Sequence, residues 1–159
     1  MADMLINLYR LPQNNSHFPE ENGIRIKRAL PPDKSKILAF IREEFQAGWA
    51  DECEHALSHD PCGCYLAVRN GEILGFACYD ATAKGYFGPT GVKESERRQG
   101  IGAALLHACL HAMREQGYGY AIVGWTAKSA IPFYEKEAGA VLIANSEPEQ
   151  SIYSNMIDQ

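Results

Sequence analysis

The stretch that decides the fold lies in the second half of the chain and reads Val92-Lys93-Glu94-Ser95-Glu96-Arg97-Arg98-Gln99-Gly100-Ile101-Gly102-Ala103-Ala104-Leu105. It predicts the end of a strand, a charged turn and the start of an amphipathic helix that ends near Gly117. The first amides of a helix lack internal partners and lie at the positive end of the helix dipole. The pattern therefore predicts a binding site for a phosphate or pyrophosphate at the helix start.

Two pairs of residues in this stretch suit such an anion site. Gly100 and Gly102 place no side chain where the anion must approach the backbone, and Arg97 and Arg98 add positive charge beside it. Two other interpretations remain: the glycines only start a closely packed helix, or they belong to a dinucleotide-binding motif. The second lacks its third glycine, because Leu105 occupies that place.

The predicted elements around this stretch alternate between strands and helices. A strand over 85–93 contains Gly88-Pro89, which removes a ladder donor, so we expect irregular pairing there. Asn70-Gly71 predicts a hairpin turn. The order of elements predicts a mixed sheet with helices on its faces. The remaining predicted strands are 5–9, 24–28, 65–69, 73–79, 120–125, 141–144 and 152–157. One further helix is predicted to start at Asp33 and stop at Gly48, and two more are predicted over 51–58 and 128–138.

Length and composition limit the classes of protein. The chain has 159 residues, of which 46% are hydrophobic, and a formal net charge of −5. This predicts one folded domain over 1–159, with its core at about 24–157 and an N-terminal strand and loop at 1–23. The negative charge disfavours nucleic acid as a partner. Neither a membrane-spanning stretch nor a leader is recognised, so we expect a cytoplasmic protein without a membrane partner.

Five cysteines are scattered along the chain without a disulfide framework. We expect reduced thiols and no bound metal. One group could in principle ligate zinc, but its spacing is not that of a zinc ribbon or finger. That group consists of Cys53, His55, His59, Cys62 and Cys64.

The segment Arg97-x-x-Gly100-x-Gly102 matches the Arg/Gln-x-x-Gly-x-Gly/Ala signature of the GCN5-related N-acetyltransferases (GNAT), and the chain resembles that family over most of its length. The resemblance implies the acyl-CoA N-acyltransferase fold, an α/β fold whose mixed, mostly antiparallel central sheet has a splayed strand and helices on both faces. It implies acetyl-CoA as co-substrate and no metal. Backbone groups of Val92 would face the pantetheine, and the pyrophosphate would lie near Arg97, Arg98, Gln99, Gly100, Ile101, Gly102 and Ala103.

A second segment, Ala130-x-x-Phe133-Tyr134-Glu135-Lys136-x-x-Gly139-Ala140, resembles a C-terminal segment of the same family with one extra residue before the glycine. The resemblance implies that Tyr134 is the general acid. A phenol with a pKa of about 10 can protonate the departing thiolate of coenzyme A. The other interpretation is that Tyr134 only packs against the sheet.

The sequence departs from the family pattern at two places. Ala127 stands where many relatives have an asparagine that contacts the cofactor, and Ser129 is a candidate substitute. The strand over 86–92 contains no carboxylate to serve as general base. Asp80, Glu43 and a water relay are the alternatives for that role.

The resemblance implies an N-acetyltransferase that moves an acetyl group from acetyl-CoA to a primary amine by direct attack. A group of carboxylates near the first two helices favours a small-molecule amine or amino sugar as acceptor, although such a group can also be a solvated helix face. The alternative function is a catalytically weak sensor module that binds acetyl-CoA, and a homodimer is left open. The carboxylates are Glu43, Glu44, Asp51, Glu52 and Glu54.

Overall fold

The computed structural model describes residues 1–11 and 22–158. The loop predicted within residues 1–23 lies largely outside these residues. Within them the chain forms seven strands and four α-helices. The strands are β1 (Ala2–Asn7), β2 (Arg25–Arg28), β3 (Cys64–Arg69), β4 (Glu72–Tyr79), β5 (Tyr86–Val92), β6 (Tyr120–Thr126) and β7 (Val141–Leu142), and the helices are α1 (Lys34–Glu44), α2 (Ala47–Leu57), α3 (Ile101–Glu115) and α4 (Ile131–Ala138).

The strands form one sheet in the order β2-β3-β4-β5-β6-β1-β7. All neighbouring strands are antiparallel except β5 and β6, which run parallel. Helices cover both faces, because Leu66 and Phe76 pack in a core with α1 and α2, whereas the adjacent Ala67 and Ala77 pack in a second core with α3. The predicted fold class is confirmed.

The hairpin between β3 and β4 turns at Asn70 and Gly71, as predicted. Both residues have positive φ, at 51° and 76°, which is the requirement of a type I′ turn. The hairpin register pairs Arg69 with Glu72.

The parallel pair β5 and β6 separates soon after it begins. Only two register pairs join the strands, Tyr86 with Ile122 and Phe87 with Val123. Gly88 follows with φ of 115°, and Pro89 has no amide to donate. The predicted irregular pairing is confirmed, and it leaves a split between the second half of β5 and the end of β6.

The C-terminal segment differs from the prediction of a strand over 152–157. Ile152–Asn155 form a 3-10 helix, and the Ser151 hydroxyl accepts a hydrogen bond from the Tyr153 amide at 3.3 Å. The apolar residues there do not mark a buried face, since Ile157 is 99% exposed. The Tyr153 ring instead packs edge-on against Trp125 at 5.1 Å.

The boundary between the first two helices was also predicted wrongly. Helix α1 ends at Glu44 instead of near Gly48, and Gly48 lies inside the first turn of α2. The chain leaves the helix at Phe45, whose ring packs against Phe76 and Trp49 at 5.6 and 5.5 Å.

The two outermost strands on the β6 side also differ from their predicted limits. β1 covers Ala2–Asn7 instead of 5–9, and only Val141–Leu142 of the predicted 141–144 pair with it. None of the described helices combines the length and apolar character needed to cross a membrane.

Candidate active site

The start of α3 presents free backbone amides. Gly100 precedes the helix in a left-handed conformation with φ of 81°, and the first intrahelical bond runs from the Ala104 amide to the Gly100 carbonyl at 3.1 Å. Among the described residues, no acceptor pairs with the amides of Ile101, Gly102 and Ala103. These three donors at the positive helix end can bind an anion.

This helix start lies beside the open end of the split. A Cβ placed on Gly102 would lie 3.8 Å from Cγ2 of Val92, the last residue of β5. The Arg97 Nε donates to the Val92 carbonyl at 3.2 Å. The structure therefore brings Val92, Arg97 and the glycines of the predicted anion site together. Arg98 and Gln99 lie in the same turn with exposed side chains.

A contact that the sequence did not reveal holds this turn in place. The Arg69 guanidinium binds both oxygens of Glu96, one of them at 3.1 Å, and Gln99 Nε2 donates to the same carboxylate at 2.8 Å. The ion pair neutralises a carboxylate close to the predicted anion site. Arg69 is 27 residues away on β3, and no local pattern links it to Glu96.

Tyr134 lies at the other end of the split, where β5 and β6 separate. Its side chain is 7% exposed, and its ring packs edge-on against Phe87, the last residue of β5 that pairs with β6, at 6.2 Å. Its hydroxyl has no hydrogen-bond partner within residues 1–11 and 22–158. Burial raises the pKa of Tyr134 to about 12, so the phenol is protonated near neutral pH and has a proton to donate.

The segment before α4 carries the residues that depart from the family pattern. Ala127 precedes the short 3-10 helix Lys128–Ala130, and its carbonyl accepts from the Ala130 amide at 2.9 Å. Ser129 is exposed. A cofactor contact through Ser129 stays a prediction.

A polar group lies on the face of the sheet that carries α2. Asp3 is 4% exposed, and its carboxylate accepts from the Trp125 amide at 2.9 Å, at a bulge where Trp125 has φ of 50°. Tyr153 lies over Gly124, because a Cβ on that glycine would overlap the Tyr153 hydroxyl. Burial raises the pKa of Tyr153, and the carboxylates of Asp3 and Glu52 raise it further.

Glu52 belongs to the acidic group that the sequence indicated, but its surroundings differ from those of the other members. Thr82 Oγ1 donates to Glu52 Oε1 at 2.6 Å, and burial raises the pKa of Glu52. Glu43 is exposed, and Glu54 pairs with Lys34 at 2.9 Å on the surface. Within the described residues, neither Glu52 nor Asp3 forms an ion pair with Lys or Arg.

Asp80, one candidate for the general base, is occupied by contacts of the β4–β5 connection. Its Oδ1 accepts from the Gly85 amide and its Oδ2 accepts from the Tyr118 hydroxyl, both at 2.8 Å. Its own backbone has φ of 56°. These contacts give Asp80 a structural role in that turn.

Comparison with known proteins places this geometry in context. Residues 33–140 match the model of the acetyltransferase (GNAT) family. A GCN5-related N-acetyltransferase from Sphaerobacter thermophilus is 25% identical with a TM-score of 0.72, over 89% of this chain and 48% of that one. The GCN5-related glucosamine N-acetyltransferase region of a fungal multi-domain beta-N-acetylglucosaminidase is 16% identical with a TM-score of 0.70, over 89% and 19%.

A third solved structure, a GNAT family acetyltransferase from Brucella melitensis in complex with acetyl-CoA, is 16% identical with a TM-score of 0.54, over 79% of this chain and 91% of that one. No curated protein matches the sequence. The chain spans about half or less of the length of the first two solved chains. Since the family model covers more than half of the sequence, the chain belongs to the GNAT acetyltransferase family.

Proposed function

We propose that this chain transfers the acetyl group of acetyl-CoA to a primary amine, by direct attack of the amine while both substrates are bound. The observation that carries the proposal is the split between β5 and β6, with the free amides of α3 at its open end and Tyr134 where the strands meet. Membership of an acetyltransferase family supports the reaction class. The Brucella melitensis relative, solved with acetyl-CoA, supports the choice of co-substrate.

The pyrophosphate of the cofactor would bind the amides of Ile101, Gly102 and Ala103. Their positive end of the helix dipole and the two exposed arginines favour an anion at this place. The pantetheine arm would follow the split beside Val92, where β5 pairs with β4 but not with β6. The thioester would then lie near Gly88-Pro89, within reach of the Tyr134 side of the split.

The reaction needs two proton transfers around one bond exchange. The amine nitrogen forms a bond to the thioester carbonyl carbon, and the bond from that carbon to sulfur breaks. Tyr134 donates its hydroxyl proton to the departing thiolate and regains a proton from solvent. An acceptor that binds as an ammonium ion first loses one proton to solvent, and the Glu52 carboxylate then takes the proton that the attacking amine loses. A raised pKa makes Glu52 a stronger base than an exposed carboxylate.

The charge on the α2 face supports the choice of acceptor class. Asp3 and Glu52 bring two buried or half-buried carboxylates to the Tyr153 hydroxyl without a lysine or arginine partner among the described residues. A cationic ammonium would compensate this charge. The aromatic rings of Trp125 and Tyr153 border the same place. The largely buried carboxylates and the neighbouring aromatic rings favour a small amine or amino sugar over a protein terminus.

The test measures both binding and turnover on the purified chain. Calorimetry reports the affinity for acetyl-CoA, and chromatography with mass detection reports coenzyme A and acetylated product for a panel of monoamines, diamines and amino sugars. We expect amine-dependent release of coenzyme A in proportion to acetylated product. Tight acetyl-CoA binding without turnover of any amine would favour the sensor module instead. The absence of acetyl-CoA binding would refute both functions.

A further inference from the structure

Three cysteine sulfurs meet in the core between α2 and the β3–β4 hairpin. Cys53 lies on the inner side of α2, Cys64 begins β3, and Cys78 lies near the end of β4. Cys64 and Cys78 are register partners on adjacent antiparallel strands, so their side chains share one face. The three Sγ atoms all lie within 4.8 Å of one another, and the Cys53 and Cys64 sulfurs are 3.8 Å apart.

The surroundings of this sulfur group are apolar. All three cysteines are fully buried, and their core neighbours include Ala50, Ala56, Leu66, Phe76 and Ala81. In the part of the chain that the structure describes, no histidine, aspartate or glutamate joins the three sulfurs as a further metal-ligating group. Any ion bound here would have only sulfur ligands from these side chains and no access to bulk water.

We infer that Cys53, Cys64 and Cys78 form a three-coordinate site for one Cu(I) ion. Metal–thiolate bonds are about 2.3 Å long, which places two sulfurs on one ion about 3.8 Å apart at tetrahedral and about 4.0 Å apart at trigonal angles. The observed separations need only small movements to reach these values. Thiolate sulfur is a soft ligand that favours Cu(I).

The number of ligands distinguishes copper from zinc at this place. Structural zinc sites are almost always four-coordinate, and the sulfur group offers three ligands in a water-free core. Each thiol that becomes a thiolate ligand releases its proton to solvent, and no electron is transferred, because copper enters and remains as Cu(I). The site contains none of the residues assigned to acetyl transfer, so it can be tested independently of that function.

This inference departs from the expectation of metal-free thiols. Sequence spacing directed attention to cysteines and histidines between residues 53 and 64. In the structure the histidine does not join the sulfurs, since the His55 ring nitrogen Nδ1 binds the Ala81 carbonyl at 2.9 Å. The third sulfur comes instead from Cys78 on the neighbouring strand.

The experiment titrates the reduced full chain with Cu(I) under anaerobic conditions, in competition with a chromophoric Cu(I) chelator. We expect one Cu(I) per chain, a thiolate-to-copper charge-transfer band in the near ultraviolet and a higher unfolding temperature with bound copper. Cys78→Ala should weaken Cu(I) binding by at least about a hundredfold, more than the loss of an outer-shell partner usually costs.

Cys109→Ala is the matched control, because Cys109 is equally buried but lies on α3 in the other core. It should retain full Cu(I) affinity. Circular dichroism and urea unfolding establish that each variant is folded, and Cys53→Ala repeats the test from α2 if Cys78→Ala does not fold. Equal Cu(I) uptake by the parent and a folded Cys78→Ala or Cys53→Ala variant refutes the site. Uptake that depends instead on Cys62, or tighter binding of Zn(II) than of Cu(I), also refutes it.

Discussion

Replacing Tyr134 with phenylalanine removes only the phenolic hydroxyl and keeps the ring that packs against Phe87. The hydroxyl has no hydrogen-bond partner among the described residues, so we expect the free energy of unfolding to change by less than about 1 kcal/mol. Acetyl-CoA affinity should also change little. The chemical step should slow about a hundredfold, the lower end for general acid catalysis, which corresponds to about 2.7 kcal/mol.

Single-turnover measurement of acetyl transfer is the appropriate assay, since slow product release can hide the loss in steady-state turnover. Burial raises the pKa of Tyr134 to about 12, and the phenol therefore stays protonated through the neutral range. The ratio of parent to variant rate should accordingly be constant between about pH 6 and pH 9. A variant rate within about threefold of the parent, less than about 1 kcal/mol, would make Tyr134 a packing residue.

Tyr118→Phe is the matched control for this experiment. The pKa of Tyr118 is also raised to about 12, but its hydroxyl donates to Asp80 in the β4–β5 connection. Losing that bond should lower the free energy of unfolding by about 1 kcal/mol and leave the acetyl-transfer rate unchanged. A comparable rate loss in both variants would mean that the effect of Tyr134→Phe is not specific to proton donation.

Substitutions at three further positions test the cofactor and acceptor sides. Gly102→Ala should keep coenzyme A affinity within about threefold and stabilise the chain by up to about 1 kcal/mol, because its Cβ would meet only Val92 at 3.8 Å. Gly102→Glu should weaken coenzyme A binding at least tenfold, about 1.4 kcal/mol. Equal affinities of the two variants in calorimetry would contradict the anion site. Burial raises the pKa of Glu52, so parent kcat/KM should fall as pH drops through that pKa, and Glu52→Gln should be slow and lack this limb; a variant that keeps the limb excludes Glu52 as base. Gly124→Ala should displace the Tyr153 hydroxyl and raise the acceptor KM without changing acetyl-CoA affinity, and an unchanged acceptor KM in initial-rate assays would separate Tyr153 from the acceptor site.

The cofactor side of the site was accessible from the sequence because its determinants are local. The strand end, the turn and the helix start are consecutive, and the left-handed Gly100 is a position that favours glycine. Gly88-Pro89 predicted irregular pairing of its strand for the same reason, since the missing amide donor is a property of the residue itself. Apolar periodicity also located α3, whose inner face is fully buried.

On the α2 side the sequence indicated only the acidic group that includes Glu52, because the other contacts join distant segments. Asp3 holds the Trp125 amide, and Tyr153 covers Gly124. No periodic pattern reports such pairs. Cys78 meets Cys53 and Cys64 for a similar reason: strand pairing, and not spacing along the chain, brings it there. The apolar pattern at 152–157 led to the wrong prediction of a strand, because residue type alone shows neither the exposure of these residues nor the Ser151 cap.

The position of β1 in the sheet has a consequence for the order of folding. Strands β3, β4 and β5 are neighbours both in sequence and in the sheet, and their short connections let them pair locally, whereas β2 pairs with β3 across α1 and α2. β1 instead pairs Ala2 with Thr126 and Met4 with Leu142, contacts that carry a high closure entropy and form slowly. The split is therefore the boundary, or seam, between two halves of the sheet. One half assembles mainly by local pairing, and the other forms only after segments 2–7 and 120–142 meet. A competent site exists only after that late docking, since Phe87 and Tyr134 come from opposite sides of the seam.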